Sequence, residues 1–412
     1  MTEPVARPKR KDPPARTRPL LPPSARSRTA HGLTAAAAEG RFALQACADC
    51  NAVVYPPRDA CPSCLSPRLP FTDVDPHGTL VVQTTVRVSS ENYFRERQPW
   101  PVGFVKLDVG PMILAHLHGD VTEGVRVRLM AALDRAGAAV MMAVPDKDTA
   151  QMGDDPVLRE FTCDPKFRRV LITDGRSDVG QALARACTEA GASLVLVGIA
   201  DPRKPFPGEA ALRATDAVEI VPLDLTDSRS VSKLAAQNAA RVDILINNAA
   251  HVRAGGIVDT AGLALAREEL ELRYLGLIRL AQAFGPAMRA RGADGASATA
   301  AFVNLLSVHA MAAWPAYGVF SSVEAACLSA AQTLRSELRP GGVKVVNVFS
   351  GPLENEWFQT VPPPKVAPAA LAKAVIAALR AGIEDAFVGE VAQDIRARLA
   401  VNPKALEREL GE

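Results

Sequence analysis

The spacing of apolar residues changes partway along the chain and separates two regions. Between Gly78 and Val144, short β-branched segments alternate with turn signals such as Gly110-Pro111. These segments predict strands over residues 78–88, 102–109, 112–117, 125–129 and 138–144. Five short strands at this spacing are typical of a small closed barrel of the OB type.

From Arg168 onward, continuous apolar segments alternate with long helical stretches. The pattern predicts strands over 170–173, 194–197, 218–223, 244–246, 301–306 and 343–348, and helices over 179–190, 262–291 and 317–339. Apolar strands that alternate with helices indicate a parallel sheet covered on both faces. The second region is therefore predicted to be an α/β doubly wound domain of the Rossmann type.

These patterns predict a multidomain chain. Residues 1–30 combine many prolines with eight arginine or lysine residues and only two acidic residues, so they cannot bury enough apolar surface to fold. The predicted parts are a disordered tail (1–30), a helix and a cysteine-containing ribbon (31–70), the barrel (71–147), a linker (148–166), the Rossmann domain (167–395) and a C-terminal helix or tail (396–412).

Composition narrows the classes of partner. The net charge of +2 over 412 residues creates no strong field, and the aromatic residues of the barrel are not interleaved with basic ones. No segment has the roughly 20 uninterrupted apolar residues of a membrane span, and the tail lacks the apolar centre of a secretory signal. We expect a soluble, cytoplasmic protein that binds neither nucleic acid nor membrane.

Four of the seven cysteines have the spacing of a metal site. Cys47 and Cys50 form one C-x-x-C pair, and Cys61 and Cys64 form a second pair after ten intervening residues. Two such turns supply four thiolates, the complete shell of a structural zinc ion. The alternative is a redox dithiol or two accidental pairs. The scattered Cys163, Cys187 and Cys327 are predicted to be small core residues.

The residues around these cysteines resemble the domain-of-unknown-function-35 family. The resemblance rests on Gly40-Arg41, the two cysteine pairs, Tyr55-Pro-Pro-Arg and Gly78-Thr-Leu, and it spans about residues 31–147. It implies a rubredoxin-like zinc ribbon joined to an OB fold. It also implies a non-catalytic role beside thiolases or thiolase-like aldolases that act on acyl-CoA.

The second region resembles the short-chain dehydrogenase/reductase family over about residues 168–395. Asp224 follows the third strand, Asn247-Asn-Ala-Ala250 matches an Asn-Asn-Ala-Gly segment, and Asn304-Leu-Leu-Ser307 matches the strand end that carries the catalytic Ser. The resemblance assigns the catalytic position to Ser307. Asn247 and Asn304 could equally hold strand ends without any ligand.

The rest of the catalytic set of that family is missing. Phe320 and Glu324 stand where the resemblance places the catalytic Tyr and Lys, and Arg273 stands where it places the Asn. Phe has no proton to give, and a Glu would raise the pKa of a neighbouring phenol. Tyr317 lies almost a turn too early to substitute. His309 lies two residues beyond Ser307, which predicts a poor angle for a shared site.

The cofactor loop also departs from the Thr-Gly-x-x-x-Gly-x-Gly pattern of the family. Asp174 and Asp178 replace its first two glycines, which adds negative charge where a diphosphate would approach a helix N-terminus. Asp178 could instead cap the helix, and Arg176 could offset one charge. The loop therefore disfavours NAD or NADP. If a dinucleotide is retained, the resemblance gives Gly175, Gly180, Asp224 and Asn247 as its contacts, and Gly198 reveals no preference between the two cofactors.

Together with the missing catalytic residues, the two resemblances imply a non-catalytic accessory subunit of acyl-CoA metabolism within a hetero-oligomer. The ribbon and barrel would pair with a thiolase-like enzyme, and the Rossmann domain would pair with an active short-chain dehydrogenase through helices 262–291 and 317–339. The alternative is an NAD(P)-dependent oxidoreductase that acts on hydroxyacyl- or ketoacyl-CoA through an altered site around Ser307, Tyr317 and His309.

Overall fold

The computed structural model describes residues 2–4, 20–24, 27–259, 262–291 and 300–411. The predicted disordered tail lies largely outside these residues. The chain forms two compact units, one mainly of Leu20–Cys163 and the other mainly of Asp164–Leu379 with the residues from Glu384 onward. Among the described helices, none is both long enough and apolar enough to cross a membrane.

The first unit begins with a helix and a small sheet. Helix α1 (His31–Ala38) precedes strands β1 (Ala43–Ala46), β2 (Val53–Val54) and β3 (Phe71–Asp73). The strands form an antiparallel sheet in the order β2-β1-β3. The cysteine pairs lie in the turns beside these strands, as the ribbon prediction requires.

Five further strands close into the predicted barrel. They are β4 (His77–Val86), β5 (Trp100–Leu107), β6 (Met112–Leu117), β7 (Arg126–Leu133) and β8 (Ala139–Pro145), joined in the closed order β4-β5-β6-β8-β7. Alternate residues such as Leu80, Val105 and Ile113 point inward and are fully buried. Only the β6–β8 pair is parallel among these five strands, and the OB-type barrel is confirmed.

Two short helices complete this unit, α2 (Asn92–Arg95) and α3 (Pro156–Phe161). Helix α3 lies inside residues 148–166, which the sequence analysis assigned to a linker. Val157, Leu158 and Phe161 are buried in a cluster with the barrel residue Trp100. Most of this segment therefore belongs to the packed first unit, because its apolar residues cover one side of the barrel.

The second unit has a seven-stranded parallel sheet in the order β11-β10-β9-β12-β13-β14-β15. The strands are β9 (Arg169–Ile172), β10 (Leu194–Ile199), β11 (Val218–Pro222), β12 (Ile244–Asn247), β13 (Ala301–Ser307), β14 (Lys344–Ser350) and β15 (Asp385–Val388). The order reverses at β9, which confirms the doubly wound fold. Strand β15 is an addition to the six predicted strands.

The helices of this unit are α4 (Asp178–Glu189), α5 (Glu209–Arg213), α6 (Ser228–Asn238), α7 (Gly262–Glu269), α8 (Gly276–Arg291), α9 (Gly318–Leu338), α10 (Pro368–Ala381), α11 (Glu390–Val401) and α12 (Pro403–Glu409). A π-helical segment, Leu270–Leu275, joins α7 to α8, so the single helix predicted over 262–291 is interrupted. Leu406 of α12 is buried in the main core, so the predicted C-terminal tail packs onto this unit.

Candidate functional site

The four ribbon cysteines converge at one point. Their sulfur atoms all lie within 4.8 Å of one another, with Cys47 Sγ 3.5 Å from Cys64 Sγ and Cys50 Sγ 3.6 Å from Cys61 Sγ. A tetrahedral zinc ion with Zn–S bonds of about 2.3 Å separates its sulfur ligands by about 3.8 Å. The cluster therefore fits a zinc ion, which all four thiolates would hold as a structural site.

The backbone adopts the same turn at both cysteine pairs. The N–H of Asn51 donates to the carbonyl of Cys47, and the N–H of Leu65 donates to the carbonyl of Cys61, each at 2.9 Å. Both Asn51 and Leu65 adopt positive φ angles, of 60° and 61°. Two equivalent tight turns thus aim each pair of thiols at the same point.

The titration of the thiols also favours a cation. Burial raises the pKa of Cys47, but the N–H of Cys50 and the neighbouring thiols lower it to about 7. The N–H of Ser66 lowers the pKa of Cys64, but the other thiols raise it to about 12. One thiolate forms easily and the last does not, because negative charges at this spacing repel unless a metal replaces the protons.

The second unit contains a cavity of about 430 Å³ just beyond the carboxyl ends of its central strands. Residues at or just after the ends of β9, β12, β13 and β14 line it, among them Asp174, Asn248, Ser307 and Ser350. In open α/β sheets this edge is where ligands bind. The cavity is therefore the candidate site of the domain.

Phe320 of α9 lines this cavity in the position predicted for the catalytic Tyr. It is 2% exposed and packs edge-on against the His309 ring, with the ring centroids 5.2 Å apart. Tyr317 and Phe358 belong to the same aromatic cluster. Tyr317 itself donates only a long bond, 3.4 Å, to the carbonyl of Trp357.

Ser307 and His309 do share a site, contrary to the expectation from their spacing. His309 Nδ1 lies 2.6 Å from Ser307 Oγ, because the chain turns into a short 3-10 helix directly after β13. His309 Nε2 is buried and has no hydrogen-bond partner among the described residues. Burial lowers the pKa of His309 to about 4, so its ring is neutral at pH 7.

Arg273 and Glu324 form a buried ion pair beside Ser307. The guanidinium donates to Glu324 Oε1 from Nε at 2.7 Å and also from Nη2, and to the carbonyls of Ala249 and Leu305 at 2.9 and 3.1 Å. The N–H of Ser307 donates to Glu324 Oε2 at 2.6 Å. Burial lowers the pKa of Arg273, but the Glu324 carboxylate raises it above its usual value. The pair thus fills the positions of the Asn and the Lys with two mutually neutralised charges.

Sequence reasoning noted each substitution but missed that Arg273 and Glu324 contact each other. The sequence did contain a signal for this contact: the two residues that replace the Asn and the Lys carry opposite charges. The π-helical segment Leu270–Leu275 contains Arg273 and inserts extra backbone into the helix at this point. Such segments change which side chains face inward and frequently occur at functional sites.

Glu269, at the end of α7, is a second buried acid of this region that sequence reasoning missed. It is 1% exposed, and neither carboxylate oxygen has a hydrogen-bond partner of good geometry among the described residues. Burial raises its pKa to about 7, against the opposing effects of the Arg253 N–H and the Arg273 guanidinium.

The loop between β9 and α4 satisfies its own donors. Asp174 Oδ1 accepts the N–H of Arg176 at 3.0 Å, and Ser177 Oγ accepts the N–H of Gly180 at 3.1 Å. Ser177 therefore caps α4, and the prediction that Asp178 is the cap is wrong, since Asp178 is the first helical residue. Arg176 donates to the carbonyl of Lys204 at 2.9 Å. Carboxylate and hydroxyl oxygens thus occupy donors that a diphosphate would need.

The glycines retained in this loop have a packing reason. A Cβ added to Gly180 would lie 1.8 Å from the carbonyl oxygen of Asp174, and one added to Gly175 would lie 2.0 Å from Val197 Cγ1. Both positions face protein atoms and form no cradle for a ligand. The two glycines are therefore retained for packing within the protein, whereas Asp174 and Asp178 add acidic groups to the loop.

The other predicted cofactor contacts hold the chain in place. Asp224 Oδ1 accepts the N–H of Thr226 at 2.8 Å, and Asn247 Oδ1 accepts the Thr173 hydroxyl at 3.3 Å. Asn248 Oδ1 accepts the N–H of Asp174 at 2.9 Å. Among the described residues that line the cavity, none of Gly175, Gly180, Asp224 and Asn247 appears.

The strand order, the Ser307 strand end and the position of the cavity define a short-chain dehydrogenase domain. Residues 175–386, just over half of the chain, match the model of the enoyl-(acyl carrier protein) reductase family, and the chain belongs to this family of short-chain dehydrogenases. Residues 34–70 match the rubredoxin-like zinc ribbon domain of ChsH2, and residues 72–132 match its C-terminal OB-fold domain. The predicted fusion of these domains is confirmed.

Individual relatives cover the second unit. The chain is 31% identical to the short-chain dehydrogenase PC-15 of Penicillium crustosum and 32% identical to ptmH of Penicillium ochrochloron, each over 198 residues, 47% of this chain and 68% of the relative. It is also similar to a short-chain dehydrogenase from Burkholderia cenocepacia solved in complex with NADP. That match has a TM-score of 0.54 and 30% identity over 60% of this chain and 98% of the other.

Proposed function

We propose that this protein is a non-catalytic accessory subunit of acyl-CoA metabolism, a pseudoenzyme that docks a thiolase-like enzyme and an active short-chain dehydrogenase. The observation that carries the loss of catalysis is the Arg273–Glu324 pair beside Phe320. Hydride transfer at a hydroxyl or carbonyl carbon requires a group that moves the proton on oxygen. Phe320 has no such proton, and Glu324 cannot supply the positive charge that activates a phenol.

The cofactor loop supports the same proposal. Asp174 and Asp178 are two acidic residues in the loop and first turn of α4, where the family resemblance places the diphosphate of NADP, and the N–H groups of Arg176 and Gly180 already have partners. The NADP in the Burkholderia cenocepacia relative belongs to that protein. We propose that this chain does not retain the cofactor.

The acyl-CoA setting rests on the ribbon and barrel. Their matches to the two ChsH2 domains agree with the resemblance to proteins that accompany thiolases. Val82, Phe104 and Leu114 form an exposed apolar row across β4, β5 and β6, because these three residues are cross-strand neighbours. They are 46%, 44% and 52% exposed, and such a row favours a protein partner.

A second surface lies on α8 and α9. Ile278 and Ala281 of α8 and Ala330 and Leu334 of α9 line a groove of about 360 Å³. Its apolar lining favours a partner that presents similar helices. We propose that an active short-chain dehydrogenase subunit occupies this groove in a hetero-oligomer.

The alternative is an active oxidoreductase with an altered site. The contact of 2.6 Å between Ser307 Oγ and His309 Nδ1 favours it, because it gives the serine a neighbouring base. Two observations oppose it. The pKa of His309 is lowered to about 4, so the ring is a weak base, and the Tyr317 hydroxyl bonds to a backbone carbonyl.

Turnover distinguishes the two functions. The purified full chain is incubated with NADH or NADPH and a ketoacyl-CoA, and with NAD⁺ or NADP⁺ and a hydroxyacyl-CoA, beside an intact short-chain dehydrogenase as positive control. We expect no change in absorbance at 340 nm above background. Turnover that disappears in Ser307→Ala would establish the oxidoreductase, since this variant keeps the backbone bond to Glu324.

Co-purification tests the docking role. The full chain is expected to recover a thiolase-like enzyme and a dehydrogenase from native extract. Phe104→Asp should release the first enzyme only, while Val125→Asp, outside the row but 42% exposed, should release neither. Ala330→Asp should release the dehydrogenase only, with the exposed Gln332→Asp as its control. Recovery of neither enzyme class would end the proposal.

A further inference from the structure

The cavity of the second unit is large enough to hold a small-molecule ligand. Its volume of about 430 Å³ is that of a site for a drug-sized molecule. The acidic loop beside the cavity disfavours a dinucleotide. The residues that line the cavity therefore indicate which other class of ligand could bind there.

Carboxylates dominate the charged groups at the cavity. Asp174 and Asp178 come from the loop and the first turn of α4, and Glu356 comes from the turn after β14. Asp178 and Glu356 are exposed, and Asp174 is half-buried. Acidic groups on two separate elements therefore face one opening.

The cations that line the cavity are already engaged. Arg176 donates to the carbonyls of Lys204 and Pro205 and lies over the Phe206 ring, at 5.4 Å from its centroid. Arg273 is neutralised by Glu324. The positive end of the α4 dipole faces Asp174 and Asp178, which compensate it. Arg176 keeps its positive charge, since neutral carbonyls do not cancel it, and burial raises the pKa of Asp174. The preference for a cation therefore rests on the two exposed carboxylates, Asp178 and Glu356, which outnumber this one guanidinium.

The body of the cavity is apolar and partly aromatic. Val179, Leu353, Trp357, Phe358 and Leu371 contribute to its walls. Trp357 is half-buried, and its ring lies beside that of His251, with centroids 6.1 Å apart. Aromatic faces with carboxylates nearby are the surroundings in which proteins bind organic cations.

We propose that this cavity binds an organic cation: a molecule with an apolar body that lies against Trp357 and one positively charged group near Asp178 and Glu356. The proposal goes beyond docking and does not depend on it. If the organic-cation proposal is wrong, the co-purification experiment is unaffected. If the docking proposal is wrong, the cavity can still bind a cation.

Three probes with one apolar body test the charge preference: 2-(2-naphthyl)ethylammonium, 2-(2-naphthyl)ethanol and 2-naphthylacetate. Their affinities for the full chain are measured by calorimetry in low salt. Two carboxylates roughly 6 Å from an ammonium in a water-like dielectric correspond to about tenfold tighter binding. We expect the ammonium to bind about tenfold more tightly than the alcohol and the acetate to bind most weakly.

The double variant Asp178→Asn/Glu356→Gln assigns the preference to this cavity. It should lower the affinity for the ammonium about tenfold and leave that for the alcohol unchanged. Glu354→Gln is the matched control, because Glu354 is an exposed acid two residues away that does not line the cavity. Each of these substitutions is at an exposed position, so folding is not at risk.

Four results would overturn the proposal: equal or tighter binding of the acetate, no binding of any probe at millimolar concentration, an ammonium affinity unaltered in the double variant, or micromolar binding of NADP⁺. The last result would also show that the loop accepts a diphosphate. Tighter ammonium binding that is lost only in the double variant supports the organic-cation site.

Discussion

The Arg273–Glu324 pair makes a quantitative prediction. Glu324→Gln removes one charge with little change of shape and leaves a guanidinium, 4% exposed, without its counter-charge. Arg273→Met removes the other charge and leaves the carbonyls of Ala249 and Leu305 without their donor. Breaking a buried pair from one side costs about 3–5 kcal/mol of unfolding free energy. We expect each single variant to lose this much.

The double variant is the informative one. Once both charges are gone, no unpaired charge is buried, so the double variant should lose at least about 2 kcal/mol less than the sum of the single losses. The measurement is native-state hydrogen exchange of the β13 amides in the full chain, which reports the opening free energy of the second unit alone. The exposed pair Lys404–Glu407 serves as control, with an expected coupling below about 0.5 kcal/mol.

Additive losses at Arg273 and Glu324, within about 0.5 kcal/mol, would refute the reasoning. The same conclusion would follow if either single variant were as stable as the unchanged chain. Both outcomes would mean that water reaches the pair and screens it.

Three further predictions concern the metal, the chemistry and the pH dependence. Metal analysis should find about one zinc per chain, and Cys61→Ser should lose the metal and unfold the ribbon in circular dichroism, whereas Cys187→Ser should keep the zinc. Arg273→Asn/Phe320→Tyr/Glu324→Lys should still show no turnover at 340 nm, because Asp174 and Asp178 continue to oppose the cofactor. The pKa of Glu269, raised from 4.5 to about 7, means that the folded state holds this proton more tightly than the unfolded state. Its contribution to stability is therefore complete below pH 4.5 and is lost as the pH rises to 7, at about 1.36 kcal/mol for each pH unit and at most about 3 kcal/mol in all. Thermal unfolding measured from pH 5 to 8 should show a smaller decrease of stability with pH in Glu269→Gln than in the unchanged chain. An equal decrease in both would mean that other groups cause the pH dependence.

The architecture could be predicted where the apolar pattern is long. All strands from β4 to β14 lie in segments that are visible in the sequence as alternating or continuous apolar residues. Strand β15 (Asp385–Val388) was missed because it lacks a continuous apolar run and two of its four residues are half-buried, whereas the equally short β12 is buried throughout. Helix α3 was missed although Asp155-Pro156 is a start signal, in which Asp155 accepts the N–H of Leu158 at 2.8 Å.

The site was predictable one residue at a time. The identities of Phe320, Glu324 and Arg273 follow from counting along the chain, and so does the acidic character of the loop. The contacts between Arg273 and Glu324, and between Ser307 and His309, do not follow from counting. They depend on a π-helical segment and on a turn after β13, and both are set by packing that no short sequence pattern records.

The buried ion pair also restricts how this sequence can change. A chain that replaces Arg273 or Glu324 one residue at a time must pass through a form in which a buried charge has no counter-charge. By the estimate above, that form has lost about 3–5 kcal/mol, a large part of the 5–15 kcal/mol that separates folded from unfolded proteins. Selection for stable folding would therefore favour keeping Arg273 and Glu324 together. The proposed loss of catalysis at this site is then easier to keep than to reverse.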